Sequence, residues 1–600
     1  MRSILVAILG ALLLASCEST GNHAREPEEL PEVEPGPQAP ESPAQPAPLE
    51  PPSPPESPTP PEPPAPELPS TPPPPTWPAL QSQVEHFEIF FDQATWKLIT
   101  QPSTAKAYAP GRFKARGVEY EVGVRLRGDQ AREHPKLSWK VELPDGIKLD
   151  GARRFNFMAE WLDAGLLGDV FSYELMTGAG ALAPRARYAT LSVNGKFEGI
   201  FTMVEQVDKP FLKVHGLSSD GSIYRCGARD CEMKITPKAH YQYPWDKKTN
   251  EDQPWDDLNT FLNKVSRTPE HEFEDFLRES LELDEYLRYM AAGVLISISG
   301  IDDSGSYLVR DPERGKWHYV PWDLNNSMLM YYRMEQVGAV PITTMPIPAF
   351  TAYDTRMERI YQHKESKFGG AHLPFSALSQ RIWDRPALRH RVLDYVEELL
   401  NTVFTEEAVA QRVDGQHAII RELLPKDPYV LLPQAHYAPE YLKRYVAGRR
   451  AFLLAQIPLE RRRGEGGVVI NSFGILPGTA VNAEGSAEGY IDLYNREDTP
   501  VNVGGMTVTD QLSRQFKHRL PQGLVVPAHG TLRLIADGRP SAGPTHLPFK
   551  LQTRGGELGL FDGNRMTGVV DLTFHAPLTP GQAYGRLPDG AESWGWRPAQ

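Results

Sequence analysis

Apolar and polar residues alternate strictly in the stretch that follows residue 119. The apolar positions recur at every second residue, namely Tyr120, Val122, Val124 and Leu126. A period of two is typical of a half-buried strand. Two further apolar runs, at 188–193 and 197–204, flank Asn194-Gly195, a dipeptide that favours a tight hairpin turn. The region from about 85 to 210 is therefore predicted to be rich in strands.

Helical periodicity replaces this alternation further along the chain. Between 254 and 299 one helical face is apolar, with Leu258, Phe261, Leu262 and Val265. Residues 386–457 carry similar stripes, and from 467 onward short strands recur between turn signals. The pattern predicts an α+β fold class, with a mixed domain over 81–460, a basic hinge over 461–466 and an all-β domain over 467–600.

The amino terminus predicts export and lipid anchoring. The apolar run from Ile4 to Leu14 is too short to cross a bilayer, which takes about 20 residues. It ends in Leu-Ala-Ser-Cys, which resembles a bacterial lipobox. Residues 1–17 are thus the expected signal peptide and Cys17 the lipidation site; a chance cysteine in an ordinary signal peptide is the alternative. We expect a membrane lipoprotein of the cell envelope, in the outer membrane or at the cell surface.

Residues 18–80 form a segment of their own, which holds 24 of the 57 prolines. Proline fixes φ and removes a donor, and few apolar residues are present to be buried, so a disordered, extended tether is expected. Its 11 glutamates against one arginine account for most of the net charge of −14, and the region after residue 80 is left near −5. Such a small charge argues against nucleic-acid binding.

Two cysteines remain besides Cys17. Cys226 and Cys231 lie five positions apart in the segment RCGARDC. In an oxidising compartment a local disulfide is the expected state of such a pair. A metal site would need further ligands, and no His or Cys pair stands nearby.

Acidic residues flank a predicted hairpin in the middle of the chain. Its strands are predicted over 306–310 and 317–320, around a turn at 311–315. A hairpin brings its two open ends together, so Asp302 or Asp303 before it and Asp323 after it would meet at one sheet edge. Carboxylates placed in this way suit Mg²⁺ with a general base beside it.

Several blocks, in their order along the chain, resemble the CotH kinase family, which is named for a spore-coat protein kinase. They are VRLRGD, PKLSWKVEL, FNFMAEWLD, LSVNGKFEGIFTMVEQVDKPFL and YLVRDPERGKWHYVPWDLNNS. The resemblance covers roughly 85–455. It implies an atypical protein-kinase-like domain of two lobes, which uses ATP together with Mg²⁺ or Mn²⁺.

The resemblance also implies the metal and catalytic residues. Asp323 of the PWDL segment is the metal-binding aspartate, and Ser306 and Asn325 are further metal ligands. Either Asp302 or Asp303 is the catalytic carboxylate, which orients the attacking hydroxyl. Protein kinases place a catalytic Asp, a hairpin and a second, metal-binding Asp in the same order.

The nucleotide contacts follow from the same resemblance. Lys140 is the expected phosphate-contacting lysine, and Arg127, Lys136 and Glu205 are further cofactor-binding residues. Lys136 and Lys140 are four positions apart, which would place both on one face of a strand. Glu205 would pair with a lysine or help to bind nucleotide; a solvated carboxylate at a strand end is the alternative.

Some positions depart from the family pattern. Ser306 stands where the family usually has Asn, Asp129 also replaces Asn, Gly168 lies nearest to a usual Arg, and Asn325 replaces Asp. A lipoprotein also works outside the cytoplasm, where ATP is scarce. Two functions are therefore expected as alternatives. One is a kinase that transfers phosphate from ATP to hydroxyls of an envelope or surface protein, and the other is a degenerate pseudokinase with a binding or structural role. The only contact expected with the membrane is through the lipid.

The last region resembles another family. The blocks VVIN, GYIDLYNRED, VNVGGMTVTD, LVVPAHGTLRL and AYGRLPDG resemble the lamin-tail domain over nearly all of 467–595. The resemblance implies an immunoglobulin-like β-sandwich that serves as an accessory or binding module.

Overall fold

The structure is a computed structural model, and it describes residues 74–600 except for 102–106, 129, 162, 227–230, 232, 234–244, 269, 299–304, 329–336, 339, 342, 344–376, 462–466, 511–515, 554–555, 564–568, 576 and 600. Cys17, Asp302 and Asp303 therefore lie outside the described residues, as do most of the tether and hinge. Among the described helices, none is long and apolar enough to cross a membrane.

Seven strands close into a barrel in the order β1-β2-β3-β4-β5-β7-β6. Their bounds are β1 Glu85–Phe90, β2 Ala109–Ala115, β3 Val118–Arg127, β4 Ser138–Glu142, β5 Arg154–Met158, β6 Ala186–Val193 and β7 Lys196–Val204. Alternate side chains of these strands fill one core, which includes Phe113, Val124, Val141 and Phe155. The remaining side chains of β3, β4 and β5 point away from that core.

Two pairings determine how the barrel closes. The strands β6 and β7 form a hairpin around Asn194 and Gly195, which have φ angles of 49° and 80°, so the predicted turn is confirmed. Strand β1 pairs in parallel with β6, from Glu85↔Ala189 to Ile89↔Val193. This second pairing joins positions about 100 residues apart, and it closes the sheet on itself.

Helices and a second sheet pack beside the barrel. The helices are α1 Gln93–Thr100, α2 Gly168–Ala179, α3 Lys209–Val214, α4 Asp256–Arg267, α5 Glu270–Ser280, α6 Leu283–Leu295, α7 Ala377–Asp384, α8 Pro386–Asn401, α9 Glu406–Ile420 and α10 Leu432–Arg461. The second sheet has the order β11-β10-β8-β9, with β8 Ser222–Cys226, β9 Trp245–Lys247, β10 Ser306–Asp311 and β11 Lys316–Pro321. The strands β10 and β11 form the predicted hairpin, with Ser306 opposite Pro321. Helices α2 and α6 and this sheet share the largest core.

The region after residue 467 is built almost entirely of strands. They are β12 Val468–Ile475, β13 Ser486–Ala487, β14 Gly489–Asn495, β15 Val501–Asn502, β16 Thr507–Thr509, β17 His518–Arg519, β18 Val525–Val526, β19 Thr531–Ala536, β20 Leu551–Gln552, β21 Gly556–Phe561, β22 Val569–His575, β23 Gln582–Arg586 and β24 Trp594–Pro598. A five-stranded sheet, β19-β14-β12-β23-β24, and a four-stranded sheet, β17-β16-β21-β22, contribute to one core. The α+β class is thus confirmed, whereas the two kinase-like lobes and the immunoglobulin-like topology stay predictions.

Candidate active site

A buried lysine, Lys140, and a half-buried arginine, Arg127, lie on the outer face of the barrel. Lys140 on β4 is directly opposite Arg125 on β3 and Asn156 on β5. Its Nζ donates to the amide oxygen of Gln206, and Arg127 at the end of β3 donates to the amide oxygen of Asn156. Among the described residues, both cations are thus bound by neutral amides, and neither forms an ion pair with a carboxylate.

Burial and nearby positive charges lower the pKa values of these two cations. Burial lowers the pKa of Lys140 to about 6, together with the charges of the neighbouring guanidinium groups of Arg127, Arg125, Arg154 and Arg225. Burial likewise lowers the pKa of Arg127. An anion bound here would offset both the burial and the mutual repulsion of these groups. We call Arg127 and Lys140 the cationic pair.

Carboxyl groups gather beside the cationic pair, in what we call the acidic cluster: Glu160, Asp163, Asp169 and Asp323. Glu160 follows β5, Asp169 lies in the first turn of α2, and Asp323 follows β11. Burial, together with the charges of Asp163 and Asp323, raises the pKa of Glu160 to about 8. Burial and the charges of Glu160 and Asp323 also raise the pKa of Asp169.

Two buried oxygens in the acidic cluster lack a donor among the described residues. They are Glu160 Oε2 and Asp169 Oδ1, and the two carboxyl groups lie close enough to each other to share a proton. The Glu160 carboxylate also accepts a hydrogen bond from the side chain of Asn325. Buried oxygens without a donor are unfavourable unless a proton or a cation satisfies them. The cluster therefore has the electrostatic character of a cation site.

Local backbone structure holds the cluster in place. Asp163 accepts hydrogen bonds from the backbone N–H groups of Gly165, at 2.9 Å, and Gly168, at 2.8 Å. These bonds fold the loop so that α2 begins at Gly168 and Asp169 follows directly. Glu160 and Asp323 both adopt the left-handed conformation, with φ angles of 45° and 64°, which is strained for residues with a Cβ and is concentrated at functional sites.

Aromatic residues connect the two groups of charges. The guanidinium of Arg127 lies 4.8 Å from the centroid of the Trp322 ring, and Trp322 immediately precedes Asp323. The backbone N–H of Asp323 donates to the hydroxyl oxygen of Tyr173 on α2 at 3.2 Å. Burial and the nearby charges of Asp169 and Asp323 raise the pKa of Tyr173. The cationic pair and the acidic cluster therefore form one continuous site.

The structure gathers part of the residue set expected from the sequence. Arg127 and Lys140 lie on the cationic side, and Asp323 and Asn325 on the acidic side. Ser306 is buried at the start of β10, and its Oγ has no hydrogen bond to a described residue.

Two expected nucleotide contacts have partners of their own. Lys136 lies before β4, which begins at Ser138, so it does not share a strand face with Lys140 as the spacing had suggested. It forms an ion pair of 2.9 Å with Asp427. Glu205 binds Arg185 at 2.6 Å and His215 at 3.2 Å, and not a lysine.

Sequence reasoning missed several residues of the site. Gln206 and Asn156 bind the cationic pair, and Glu160 and Asp169 contribute the unpartnered oxygens. Gln206 and Glu160 do fall within blocks that carry the family resemblance, EQVD and FMAEWLD. Asp169 had no comparable signal, because it reaches the site only through the packing of α2.

The residues present fit a hard divalent cation. Among the described residues, no three carboxyl, imidazole or thiol groups already converge on a single point. Glu160, Asp169, Asp323 and Asn325 nevertheless supply only oxygen donors, which Mg²⁺ and Mn²⁺ prefer. The unpartnered oxygens of Glu160 and Asp169 are the observation that supports the fit.

The local disulfide expected from the sequence is present at the edge of this region. The structure joins Cys226 and Cys231, whose Cα atoms lie 6.0 Å apart. Cys226 ends β8, directly after Arg225, which belongs to the positive environment of Lys140.

Comparison with known proteins places this site in a family. A family model described as CotH kinase protein matches residues 124–453. The inner spore coat protein H of Bacillus subtilis (strain 168) is 23% identical over 352 residues, which cover 57% of this chain and 89% of the relative. The matched range contains the cationic pair, the acidic cluster and the β10–β11 hairpin. The chain therefore belongs to the CotH kinase protein family.

Proposed function

We propose that the protein is an exported, lipid-anchored protein kinase that transfers phosphate from ATP to hydroxyl groups of an envelope or surface protein. The observation that supports it most is the position of the cationic pair directly beside the acidic cluster. A nucleotide triphosphate with a divalent metal carries matching charges, since its phosphates are anionic and its metal cationic. Phosphoryl transfer depends mainly on positioning and on such electrostatic stabilisation.

Each side chain of the candidate active site then has a definite role. Lys140 and Arg127 bind phosphate oxygens, while Gln206 and Asn156 orient the two cations. Mg²⁺ or Mn²⁺, when bound, neutralises phosphate charge, and Glu160, Asp169, Asp323 and Asn325 are the residues that would hold it, with Ser306 nearby as the ligand expected from the family.

The transfer step uses one further carboxylate. The substrate hydroxyl oxygen forms a bond to the γ-phosphorus, the bond from that phosphorus to the bridging oxygen breaks, and ADP leaves. The hydroxyl proton goes to Asp302 or Asp303, the catalytic residue expected from the resemblance, which lies outside the described residues.

Phosphate transfer by the full chain tests this proposal. We expect incorporation of ³²P from labelled ATP, in the presence of Mg²⁺ or Mn²⁺, into the chain itself or an added envelope fraction. Asp323→Ala should abolish it. Asp498→Ala is the matched control, because the Asp498 side chain is 96% exposed in the carboxy-terminal region. Equal incorporation by Asp323→Ala and the control would contradict the proposal.

Ser306 supports a second candidate function. A serine hydroxyl is a weaker metal ligand than the amide oxygen that the family usually supplies at this position. The alternative is thus a pseudokinase that keeps the fold and acts as a binding or structural protein of the envelope. Nucleotide binding without ³²P transfer would favour this alternative.

Export and anchoring form a separate part of the proposal. The lipobox-like sequence at Cys17 and the proline-rich segment support them, and the relative named above is itself a spore coat protein. We expect radioactive palmitate to label the full chain in a bacterial host, and Cys17→Ala to remove the label. The all-β region after 467, which resembles a lamin-tail domain, would then act as a binding module.

A further inference from the structure

The end of the proline-rich segment packs against the folded region. Residues 74–81, which we call the strap, belong in sequence almost wholly to the predicted tether. Within the strap, the backbone N–H of Thr76 donates to the carbonyl oxygen of Gly178 on α2 at 3.2 Å. Gln81 makes two bonds of 2.8 Å with the backbone N–H and carbonyl oxygen of Tyr188 on β6. The strap is thus fixed at both of its ends.

Trp77 is the main anchor of the strap. Its ring lies 5.2 Å from the ring of Phe171 on α2, and its Nε1 donates to the carbonyl oxygen of Val403 at 3.0 Å. Arg412 on α9 also lies over the ring, with its guanidinium carbon 5.2 Å from the ring centroid. A partly buried tryptophan that contacts both an aromatic ring and a guanidinium contributes much of the stability of such a contact.

Arg412 ties the strap to α2 as well as to α9. It donates to the carbonyl oxygen of Pro78 at 2.6 Å and forms an ion pair of 2.5 Å with Glu174 on α2. Both charged side chains are largely buried, at 4% and 12% exposure. One guanidinium therefore joins three segments of the chain, and its partners are specific in position.

Two glycines allow the strap to approach the helices closely. A Cβ at Gly178 would lie 2.8 Å from the carbonyl oxygen of Thr76, and a Cβ at Gly415 would lie 2.6 Å from Leu80 Cδ1. Any larger residue at Gly178 would push the backbone of the strap away. The surface of α2 and α9 is thus shaped to accept this segment.

The opposite side of α2 belongs to the candidate active site. Phe171, Glu174 and Gly178 contact the strap, while Asp169 belongs to the acidic cluster and Tyr173 contacts it. We infer that the strap is a positioning element, which holds α2 so that Asp169 and Tyr173 keep their places beside Asp323. The effect on ligand binding, but not the effect on α2, rests on the function proposed above.

Hydrogen exchange on the full chain tests the positioning role without any ligand. Trp77→Ala should raise the exchange of backbone amides in α2 by about tenfold, because local opening of the helix becomes easier. Thr76→Pro, which removes one donor, should act in the same direction. Trp77→Phe, which keeps a ring against Phe171, should act less. Trp596→Ala is the control, since Trp596 is 43% exposed on β24. Unchanged exchange of α2 in Trp77→Ala would overturn the inference.

Metal-dependent nucleotide affinity separates this inference from the proposed function. With Mn²⁺, Trp77→Ala should bind ATP about fivefold to tenfold more weakly than the wild type, and without metal the two should differ less. A loss that is equal with and without metal would contradict positioning through Asp169. A wild type that binds no nucleotide would refute the proposed function, yet the exchange result for α2 would still decide whether the strap holds the helix.

Discussion

The guanidinium of Arg127 lies 4.8 Å from the centroid of the Trp322 ring, and its Nη1 donates to the amide of Asn156. Arg127 thus faces the nucleotide side of the site while it packs against the residue that precedes Asp323. A planar guanidinium can stack and donate at the same time, whereas the ammonium group of lysine cannot keep both contacts. This pair therefore connects the expected phosphate contacts to the expected metal ligands.

Arg127→Lys should consequently weaken ATP binding although the charge is conserved. We expect a loss of about tenfold, or ~1.4 kcal/mol, in isothermal titration calorimetry of the full chain. Arg112→Lys is a matched control, because Arg112 lies 5.3 Å from the Phe90 ring on an exposed part of the barrel. Equal affinities of the two variants would contradict the role of Arg127.

Lys140→Met should stabilise the fold while it weakens nucleotide binding. The lysine is buried among cations, so the fold disfavours its protonated form, and an apolar side chain of similar length removes the cost of burying or deprotonating this amine. The thermal midpoint should rise and the affinity for ATP should fall by at least tenfold, since a charged phosphate contact of ~1.5 kcal/mol or more is lost. A variant that loses both stability and affinity would contradict this account of Lys140.

The low pKa of Lys140 also predicts that the stabilisation by Lys140→Met depends on pH. Burial lowers the folded-state pKa of Lys140 to about 6, far below the value of about 10.4 in an unfolded chain. Between these two pKa values the unfolded chain binds more protons at this lysine than the folded chain does. The lysine therefore destabilises the fold increasingly as the pH falls, by at most ~1.4 kcal/mol per pH unit. The effect levels off below about pH 6. The stability gap between Lys140→Met and the wild type should widen from pH 9 to pH 6.5. Lys148→Met, at an exposed position, should show a constant gap.

Asp427→Asn should strongly destabilise the fold. Asp427 Oδ2 accepts from Lys136 at 2.9 Å and from the backbone N–H of Ile200 at 2.7 Å, and the two charged side chains are 0% and 3% exposed. Removal of one partner leaves a buried charge, which costs about 3–5 kcal/mol. We expect the urea midpoint to fall accordingly.

The double variant Lys136→Met with Asp427→Leu should recover part of the stability lost in Asp427→Asn, because neither charge then remains buried alone. A double variant less stable than Asp427→Asn would contradict this account of the buried ion pair. Gly199→Ala should also destabilise, since its Cβ would lie 2.1 Å from Asp427 Oδ2.

Reduction of the disulfide should loosen the end of β8. Closure of a loop of five residues stabilises the fold by roughly 2 kcal/mol in the chain-entropy account. Replacement of Cys226 and Cys231 by serine should lower the free energy of unfolding by about this amount. Dithiothreitol should have the same effect on the wild type and none on the double variant. Equal stability of oxidised and reduced wild type would contradict the prediction.

Local patterns in the sequence predicted local structure well. Asn194-Gly195 determines a hairpin by backbone geometry alone, and the turn at 311–315 joins β10 and β11 as expected. The expected residues at the ends of those strands, Asp323 and Asn325, accordingly lie in the site. Alternation on β3 and β4 likewise placed Arg127 and Lys140 on the face opposite the barrel core.

Features that depend on tertiary packing were not predictable in this way. The parallel pairing of β1 with β6 has no local signal, because it joins segments far apart in sequence. Asp169 enters the site only because the loop capped by Asp163 starts α2 at that point. Lys136 matched the family pattern, but its strand position was wrong, and the ion pair with Asp427 depends on a turn 291 residues away.

Metal-dependent binding of ATP to the full chain tests the central claim most directly. Titration calorimetry with and without Mn²⁺ should compare the wild type, Asp323→Asn and the exposed control Asp498→Asn. We predict that Mn²⁺ strengthens binding at least tenfold, ~1.4 kcal/mol or more, in the wild type and the control. In Asp323→Asn a weak affinity, due to Lys140 and Arg127, should persist without that enhancement. A wild type that binds no ATP, or an Asp323→Asn variant with the full Mn²⁺ enhancement, would contradict the account.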